Sequence, residues 1–600
     1  MKMSLCYAAD FETTTDINDC RVWAYSLCNI EDINDFKYGN SIDDFMDWCS
    51  GEDNYTLYFF NLRFDSEFIL SYLGTHSFTF IEDKKDRADF TFTTLISDTG
   101  DIYSLEIYFH VTKKKVNKVT IYDAMKIFPN FSVAKIAKAF GLPISKLKLD
   151  YHQYRPVGHQ LEKHEIEYIR NDVEIVARSL RQMFDKGLTK MTLASDALWY
   201  YKRTVKSFRD IFPELDKNLD EIARAAYRGG FTYVSPKYQE VECGKGMTLD
   251  VNSLYPSILR YKLLPYSWPV YFEGKYEEDP LYPLYVQTFT CKFELKPDKI
   301  PSIQIKNSLS FIPNEYLTSS DGELVTLTLT NIDLKLFFDH YFVSELVYHE
   351  GLKFKGKRGN FDVYIDYWTN EKINAGKEGN NGKRQIAKLM LNSLYGKFGL
   401  SSKGDKKVPV VSEDGTVNFR LTKGADRKTI YCPVATFVTS YGRELTIRTS
   451  MVIREWGERV KGYDPYVYSD TDSIKALITE EDLEQLKDII KVDKYKLGYW
   501  DMEEVFDRIL AIRQKCYITE SEGRIHPTIA GLPKYLAPII NFENFKKGFS
   551  TKGLDQEDLR ELARQNGATE EEIEEIHHKT TFKHCAGGIV LVDTDFTINY

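Results

Sequence analysis

Between residues 464 and 476, aromatic and β-branched positions alternate through Tyr466, Val467 and Tyr468, break at Ser469, Asp470, Thr471 and Asp472, and resume from Ser473. This predicts two strands joined by a tight turn that carries Asp470 and Asp472 at its tip. A second apolar run, 247–251, reads as a buried strand ending in Asp250 and Val251; Asn252 and Ser253 then carry helix-start chemistry, with Pro256 near the first turn. Residues 7–13 read as a strand on which Asp10 and Glu12 share one face. Leu57, Tyr58, Phe59 and Phe60 form another buried run that ends at Asn61, and Asp65 follows after a turn into a helix. From 162 to 182, Ile166, Ile169, Val173, Val176 and Leu180 make a helical stripe, which sets Tyr168 and Asp172 one turn apart. Residues 381–398 also read as helix: at about 100° per residue, Arg384, Lys388, Asn392 and Tyr395 fall within roughly 80° of one another, opposite Ile386, Leu389, Met390 and Leu394.

Six hundred residues at 43% hydrophobic content suffice for several packed cores, so a multidomain globular protein is expected. The net charge of -10 excludes little, because an acidic total coexists with basic grooves around acidic metal sites. Nine cysteines without a Cys-x-x-Cys spacing argue for a reducing compartment and against structural zinc. Residues 1–10 are too short and too soon acidic for a signal peptide, and no apolar run approaches the ~20 residues of a membrane span, so a cytoplasmic protein without a membrane partner is expected.

Two carboxylates two residues apart in one turn cannot relieve their repulsion by distance, whereas a divalent cation between them compensates both. Taken singly, Asp470 and Asp472 make an ordinary solvated turn, and each N-terminal acid is an ordinary surface acid. As sets they point to metal chemistry. Asp250 at a strand end, facing the hairpin acids, completes a two-metal site, and Asp10, Glu12, Asp65 and Asp172 with Tyr168 form a second cluster.

In this order, Asp250-Val-Asn-Ser-Leu-Tyr255-Pro, Lys388-Leu-Met-Leu-Asn392-Ser-Leu-Tyr395-Gly and Tyr468-Ser-Asp470-Thr-Asp472-Ser resemble the three polymerase motifs of family B DNA polymerases. Tyr227, Arg228, Gly229 and Gly230, with the end-to-end arrangement, narrow the resemblance to the protein-primed branch of phi-29-like phages, over nearly the whole length. The resemblance implies an α/β (α+β multidomain) fold. A ribonuclease-H-like 3′-5′ exonuclease would occupy 1–188 and a right-hand polymerase 189–600, with palm 189–260 and 433–530, a first insertion 261–360, fingers 361–398, a second insertion 399–432 and thumb 531–600. It further implies template-directed synthesis from a protein primer, strand displacement and proofreading, by two-metal chemistry with Mg2+ or, in its place, Mn2+. The implied partners are template and primer DNA, deoxynucleoside triphosphates, a terminal priming protein and a single-stranded DNA-binding protein, in the cytoplasm of a bacterial host.

Residue by residue, the resemblance makes Asp10, Glu12, Asp65 and Asp172 ligands of two cations ~3.5 to 4 Å apart, with Tyr168 orienting the attacking water. Lys146 would assist, and Asp123 would support the strand end or the site. Thr13, Asn61 and Phe64 would bind single-stranded DNA, although Phe60 stands where relatives carry histidine. Asp250, Val251, Asp470 and Asp472 would hold the polymerase metals, and Lys372, Arg384, Lys388, Asn392 and Tyr395 the nucleotide. Tyr255 would lie beneath the incoming sugar as the gate against ribonucleotides. Tyr227, Gly229, Gly230, Thr439, Arg443, Lys515 and Tyr517 would contact template and primer.

Residues 261–360 read as short strands and turns ending in the basic run Lys353, Lys355, Lys357 and Arg358, with priming-protein contacts expected around 305–360. Residues 401–427 read as a hairpin that would encircle DNA. Two stretches depart from the family pattern: a Gly- and Asn-rich loop at 373–383, and an acidic, helix-patterned stretch at 554–578 that implies a differently built thumb. Two other functions were weighed. A nuclease with a degenerate palm is disfavoured because Asp250, Asp470 and Asp472 are all present, and in a non-catalytic scaffold seven site carboxylates would be an unexplained desolvation cost.

Overall fold

The computed structural model describes residues 5–151, 153–304 and 316–599; part of the expected priming-protein contact, 305–315, lies outside the described residues. The chain is a multidomain α/β protein in which two sheets, the first mixed and the second antiparallel throughout, each collect acids at one edge. In the first sheet, Leu5–Thr13 pairs in parallel with Tyr55–Phe59, which pairs in parallel with Val116–Asp123. Parallel pairing brings the carboxyl ends of all three strands to the same edge, where ligands collect in α/β folds. The helix Lys163–Asp185 lies across Leu5–Thr13 and Val22–Asn29 and buries Ile169, Val173, Val176 and Leu180, the stripe read from the sequence. Its first turn is fixed by a reciprocal capping box between Glu162 and Glu165.

The second sheet has the order Trp500–Phe506, Gly246–Val251, Ser473–Ala476, Tyr466–Asp470, Thr232–Val234. Tyr466–Asp470 and Ser473–Ala476 form the expected hairpin, and Ser473 pairs with Asp250 on one side and Asp470 on the other. The helix Cys432–Lys461 packs behind this sheet and buries most of its length.

Residues 261–360 differ from expectation. Besides the expected short strands, here Ile303–Gln304 paired with Tyr316–Leu317, they build a four-stranded sheet from Leu264–Glu273, Leu284–Leu295, Val325–Thr330 and the 17-residue Tyr341–Lys357. The breakers that suggested short strands sit at strand ends: Gly274 takes a φ of 74° just past the first strand and Pro283 immediately precedes the second. Lys353, Lys355 and Lys357 therefore alternate onto one face of a long strand.

The stretch 373–383 is also not a loop. The helix Asp362–Lys377 runs through its first five residues, and Asn381–Phe398 starts after three more, N-capped by Asn380, whose side chain accepts from the Lys383 amide. Lys406–Val411 and Val417–Thr422 do form a hairpin, and it joins the N-terminal sheet through pairing of Lys406 with Ser97 and Lys407 with Ile96. At the expected boundary near 188 the hydrophobic core does not break: Val176 and Leu180 belong to one buried cluster with Leu193, Ile386 and Leu394. Among the described residues, no helix is long and apolar enough to cross a membrane.

Candidate active sites

Asp10 and Glu12 project from Leu5–Thr13 toward Asp172, and the three bring one carboxylate oxygen each within 4.8 Å of one another. Asp65 enters from the helix Leu62–Thr75, whose N-cap Asn61 adopts a left-handed φ of 68°, a conformation Asn tolerates. Asp123 accepts hydrogen bonds from the Asn61, Leu62 and Met125 amides, so it fixes this turn rather than facing the cluster. Lys146 Nζ lies 2.6 Å from Asp172 Oδ2 and 5.5 Å from the centre of the Tyr168 ring. Tyr168 and Tyr151 share a hydroxyl hydrogen bond of 2.6 Å. Thr13, Asn61 and Phe64 line the same cavity of about 1010 Å³.

The electrostatics of this cluster fit a divalent cation. Burial and then repulsion from Asp172 push Asp10 up to about 7. Burial likewise raises Glu12 and Asp65 well above the carboxylate range, with Asp10 adding to both. Burial raises Asp172 too, against the pull of Lys146. For Lys146 burial opposes its charge, but Asp172, Tyr151 and Asp10 outweigh it and hold the ammonium form. Asp65 Oδ1 and Asp172 Oδ1 are buried and accept no hydrogen bond among the described residues. Unpaired buried carboxylate oxygens are costly, and a hard cation satisfies them.

At the second sheet, the turn of the hairpin is pinned on three sides. Thr471, with a φ of 57°, donates its amide to Phe231 O at 2.7 Å, and its carbonyl accepts from Thr446 Oγ1 at 2.7 Å. A Cβ on Gly230 would meet Thr471 Oγ1 at 2.5 Å, so only glycine lets the 227–230 turn approach. The Val251 amide donates to Asp472 O at 2.8 Å, which fixes the strand end beside the turn. Burial, then Asp472, Glu503 and Asp501, push Asp250 up to about 7; burial, Asp470 and Glu503 raise Asp472. Lys515 Nζ holds both oxygens of Asp470 at 2.7 and 2.6 Å. Among the described residues no second trio of ligating groups converges as Asp10, Glu12 and Asp172 do. Ser253, Thr471 and Lys515 all hold left-handed φ, and such backbone strain clusters at functional sites.

Above these acids lies the polar face of Asn381–Phe398. Arg384, Lys388 and Asn392 are exposed, while Ile386, Met390 and Leu394 are buried. Burial, then Lys388 and Arg384, push Lys372 down, so the two helices converge three cations on one spot. Lys388 also favours the charged form of Asp250, and Lys372 and Arg384 line one cavity with Asp501, the residue paired with Asp250. The Tyr255 and Tyr395 rings meet at 4.3 Å, and Gly442 beneath leaves just enough room, a Cβ there reaching Tyr255 Cε1 at 3.3 Å. Tyr517 packs 4.8 Å from Tyr468, beside Lys515.

Two expected DNA contacts are displaced. Thr439 is buried, its hydroxyl bonded to the Ala435 and Thr436 carbonyls of its own helix. Arg443, 1% exposed, forms an ion pair with Asp333 at 2.6 Å and donates to Arg228 O and Gly229 O, so it braces the 227–230 turn from behind. The spacing of Thr436, Ser440, Arg443 and Ile447 at positions i, i+4, i+7 and i+11 carried this signal, since all four lie on the buried face. Asp333, Tyr151, Asp501 and Glu503 were missed; the first has no local pattern, whereas Asp501 pairs directly with Asp250 across the sheet. The acidic stretch 554–578 forms helices Gln556–Gln565 and Glu570–Glu575, and Arg560, Glu574 and Phe582 line the cavity of the first cluster.

A family model described as DNA polymerase type B, organellar and viral, matches residues 47–490. The DNA polymerase of Bacillus phage Nf is 41% identical over 612 residues, covering 99% of both chains. That of Bacillus phage phi29 is 41% identical over 614 residues, covering 99% of this chain and 98% of the phage protein. The DNA polymerase of Streptococcus phage Cp-1 is 31% identical over 580 residues, covering 92% and 95%. Among solved structures, phi29 DNA polymerase complexed with primer-template DNA matches with a TM-score of 0.87 at 39% identity over 100% of both chains, as does its complex with primer-template DNA and incoming nucleotide substrates.

Proposed function

This chain belongs to the DNA polymerases of type B, organellar and viral, and is a DNA-directed DNA polymerase; on that premise we propose that it starts viral genome replication on a protein hydroxyl, displaces the strand ahead, and proofreads through its N-terminal carboxylate cluster. One observation supports the synthetic reading most directly: Asp250, Asp470 and Asp472 meet at one sheet edge beneath the cations Lys372, Arg384 and Lys388. Divalent cations, Mg2+ or Mn2+, held by Asp250, Val251, Asp470 and Asp472 at one site and by Asp10, Glu12, Asp65 and Asp172 at the other, would supply Lewis-acid charge to phosphate oxygens and acidify the nucleophile.

The chain's own residues do the rest. Arg384, Lys388 and Lys372 take the triphosphate charge, which is the main demand that phosphoryl transfer places on a protein. Tyr255, packed at a tilt against Tyr395, closes the floor under the sugar and leaves no room for a 2′-hydroxyl. Lys515 and Tyr517 stand where the primer end would lie, with Lys515 releasing Asp470 when a cation takes its place. In the N-terminal cluster, burial and then Glu12 and Asp172 raise Tyr168, so its phenol stays protonated and can hold a water against the scissile phosphate. Thr13, Asn61 and Phe64 would seat a single-stranded end in that cavity. The domain limits given above, the terminal and single-stranded-DNA-binding partners and the host cytoplasm belong to this reading.

The experiment supplies the chain with Mg2+, template and one labelled deoxynucleoside triphosphate, with either a DNA primer or a candidate priming protein. The expected outcome is extension of the primer and, without it, covalent transfer of a nucleoside monophosphate to a Ser, Thr or Tyr of the partner protein. Labelling that occurs only with a DNA primer contradicts protein priming.

A further inference from the structure

A cavity of about 1460 Å³ opens beside the end of Gly246–Val251, between the helix Asp362–Lys377 and the loop that joins Glu480–Ile490 to Trp500–Phe506. Eight cationic side chains line it and one carboxylate, Asp501, in a chain whose net charge is -10. Lys372 and Arg384 stand on one wall; Lys491, Lys494 and Lys496 stand on the loop across from them and are exposed. The loop is tied to the residue that follows Val251. Asn252 donates its amide to Tyr499 O at 2.9 Å and Nδ2 to Asp493 O at 2.9 Å, and its carbonyl accepts from the Gly498 amide at 2.8 Å. Gly498 holds a φ of 81° with room for no side chain, since a Cβ there would meet Ser257 at 2.8 Å. The lysines therefore keep a fixed place relative to Asp250.

They are also free to bind. Among the described residues Lys491 and Lys494 have no carboxylate partner, and the partner of Lys496, Asp493, lies at 3.8 Å and spends one carboxylate oxygen on the Tyr495 and Lys496 amides. We propose that Lys491, Lys494 and Lys496 form a second polyphosphate site, separate from Lys372, Arg384 and Lys388, that takes up the inorganic pyrophosphate released at each nucleotide addition. In that step the 3′-hydroxyl oxygen bonds the α-phosphorus and loses its proton to solvent. The bond from the α-phosphorus to its bridging oxygen breaks, and pyrophosphate leaves with the electron pair. All the leaving charge is on this small anion, and the loop lysines line the same cavity as Lys372 and Arg384. Handing it from one wall to the other clears the triphosphate site, and product release limits turnover in many enzymes.

The test measures inhibition of primer extension by added inorganic pyrophosphate, together with KM for nucleotide and for primer-template, in Lys491→Ala/Lys494→Ala, in Lys496→Ala and in Lys494→Arg. For the double variant the pyrophosphate inhibition constant should rise about tenfold, the weight of a lost charge-assisted contact, with nucleotide KM moving less than about twofold. Lys496→Ala should shift it in the same direction, and Lys494→Arg, which keeps the charge, should behave as the parent. Unchanged pyrophosphate inhibition overturns the proposal. An equal rise in nucleotide KM also overturns it by making the loop part of the triphosphate site, and a rise confined to primer-template KM assigns the loop to DNA instead.

Discussion

Buried charge decides what individual residues do in this protein. Arg443 and Asp333 are an ion pair in the interior, and Asp333 is held below the carboxylate range because Arg443 outweighs its burial. Removing one partner leaves the other uncompensated, so Arg443→Ala should cost about 3–5 kcal/mol, and replacing both with Met and Leu should recover most of it. Chemical denaturation measures this; a single variant as stable as the parent contradicts it. The N-terminal acids make the opposite case. Asp10, Glu12, Asp65 and Asp172 all titrate above their unfolded values, Asp10 at about 7. The native state then binds more protons than the unfolded one, so this cluster's contribution is full below the unfolded pKa of about 3.9 and is lost as pH rises through the folded values. In chelator, the melting temperature should fall between about pH 5 and pH 8, and Mg2+ should raise it more at the higher pH. A melting temperature indifferent to both contradicts the reading. The acids themselves were legible as strand and helix periodicities, whereas the burial of Arg443 showed only in its spacing with Thr436, Ser440 and Ile447, a buried face on which three of the four residues are polar.

At the scale of elements, periodicity carried furthest where one face is buried. The helix Lys163–Asp185, the strand Gly246–Val251 and the hairpin Tyr466–Asp470 with Ser473–Ala476 stand within a few residues of their expected limits, since each buries a regular apolar pattern. It failed at 373–383, where Gly376 and Gly379 suggested a loop but packing of two long helices against one another overrode propensity. Nothing local could show that the hairpin 406–422 joins a sheet built from residues before 124. That pairing covers one edge of Thr91–Ser97 and sets the hairpin against the N-terminal unit. If this hairpin serves strand displacement, replacing 406–422 with a short linker should leave extension on an open single-stranded template largely intact and stop it at a downstream duplex. Equal extension on gapped and open templates contradicts that role.

Across the whole molecule, two acidic centres share one chain and no carboxylate, although a common hydrophobic cluster joins the elements that carry them. The sequence motifs singled out the acids of both clusters because those residues are close in the chain or end regular strands. The C-terminal wall of the first cavity, with Arg560 and Phe582, was not legible, because it arises from folding residues 554–594 back onto the N-terminal unit. The two centres should work independently, one synthesising and the other degrading. Primer extension and single-strand degradation, measured side by side in Asp10→Ala/Glu12→Ala and in Asp470→Asn, decide this. The expected result is that the first variant loses degradation by orders of magnitude and keeps synthesis, because several kcal/mol of transition-state stabilisation go with its cation ligands, while the second loses synthesis and keeps degradation. Both activities falling together in either variant, with a lowered melting temperature, would contradict the account and make these acids supports of the fold.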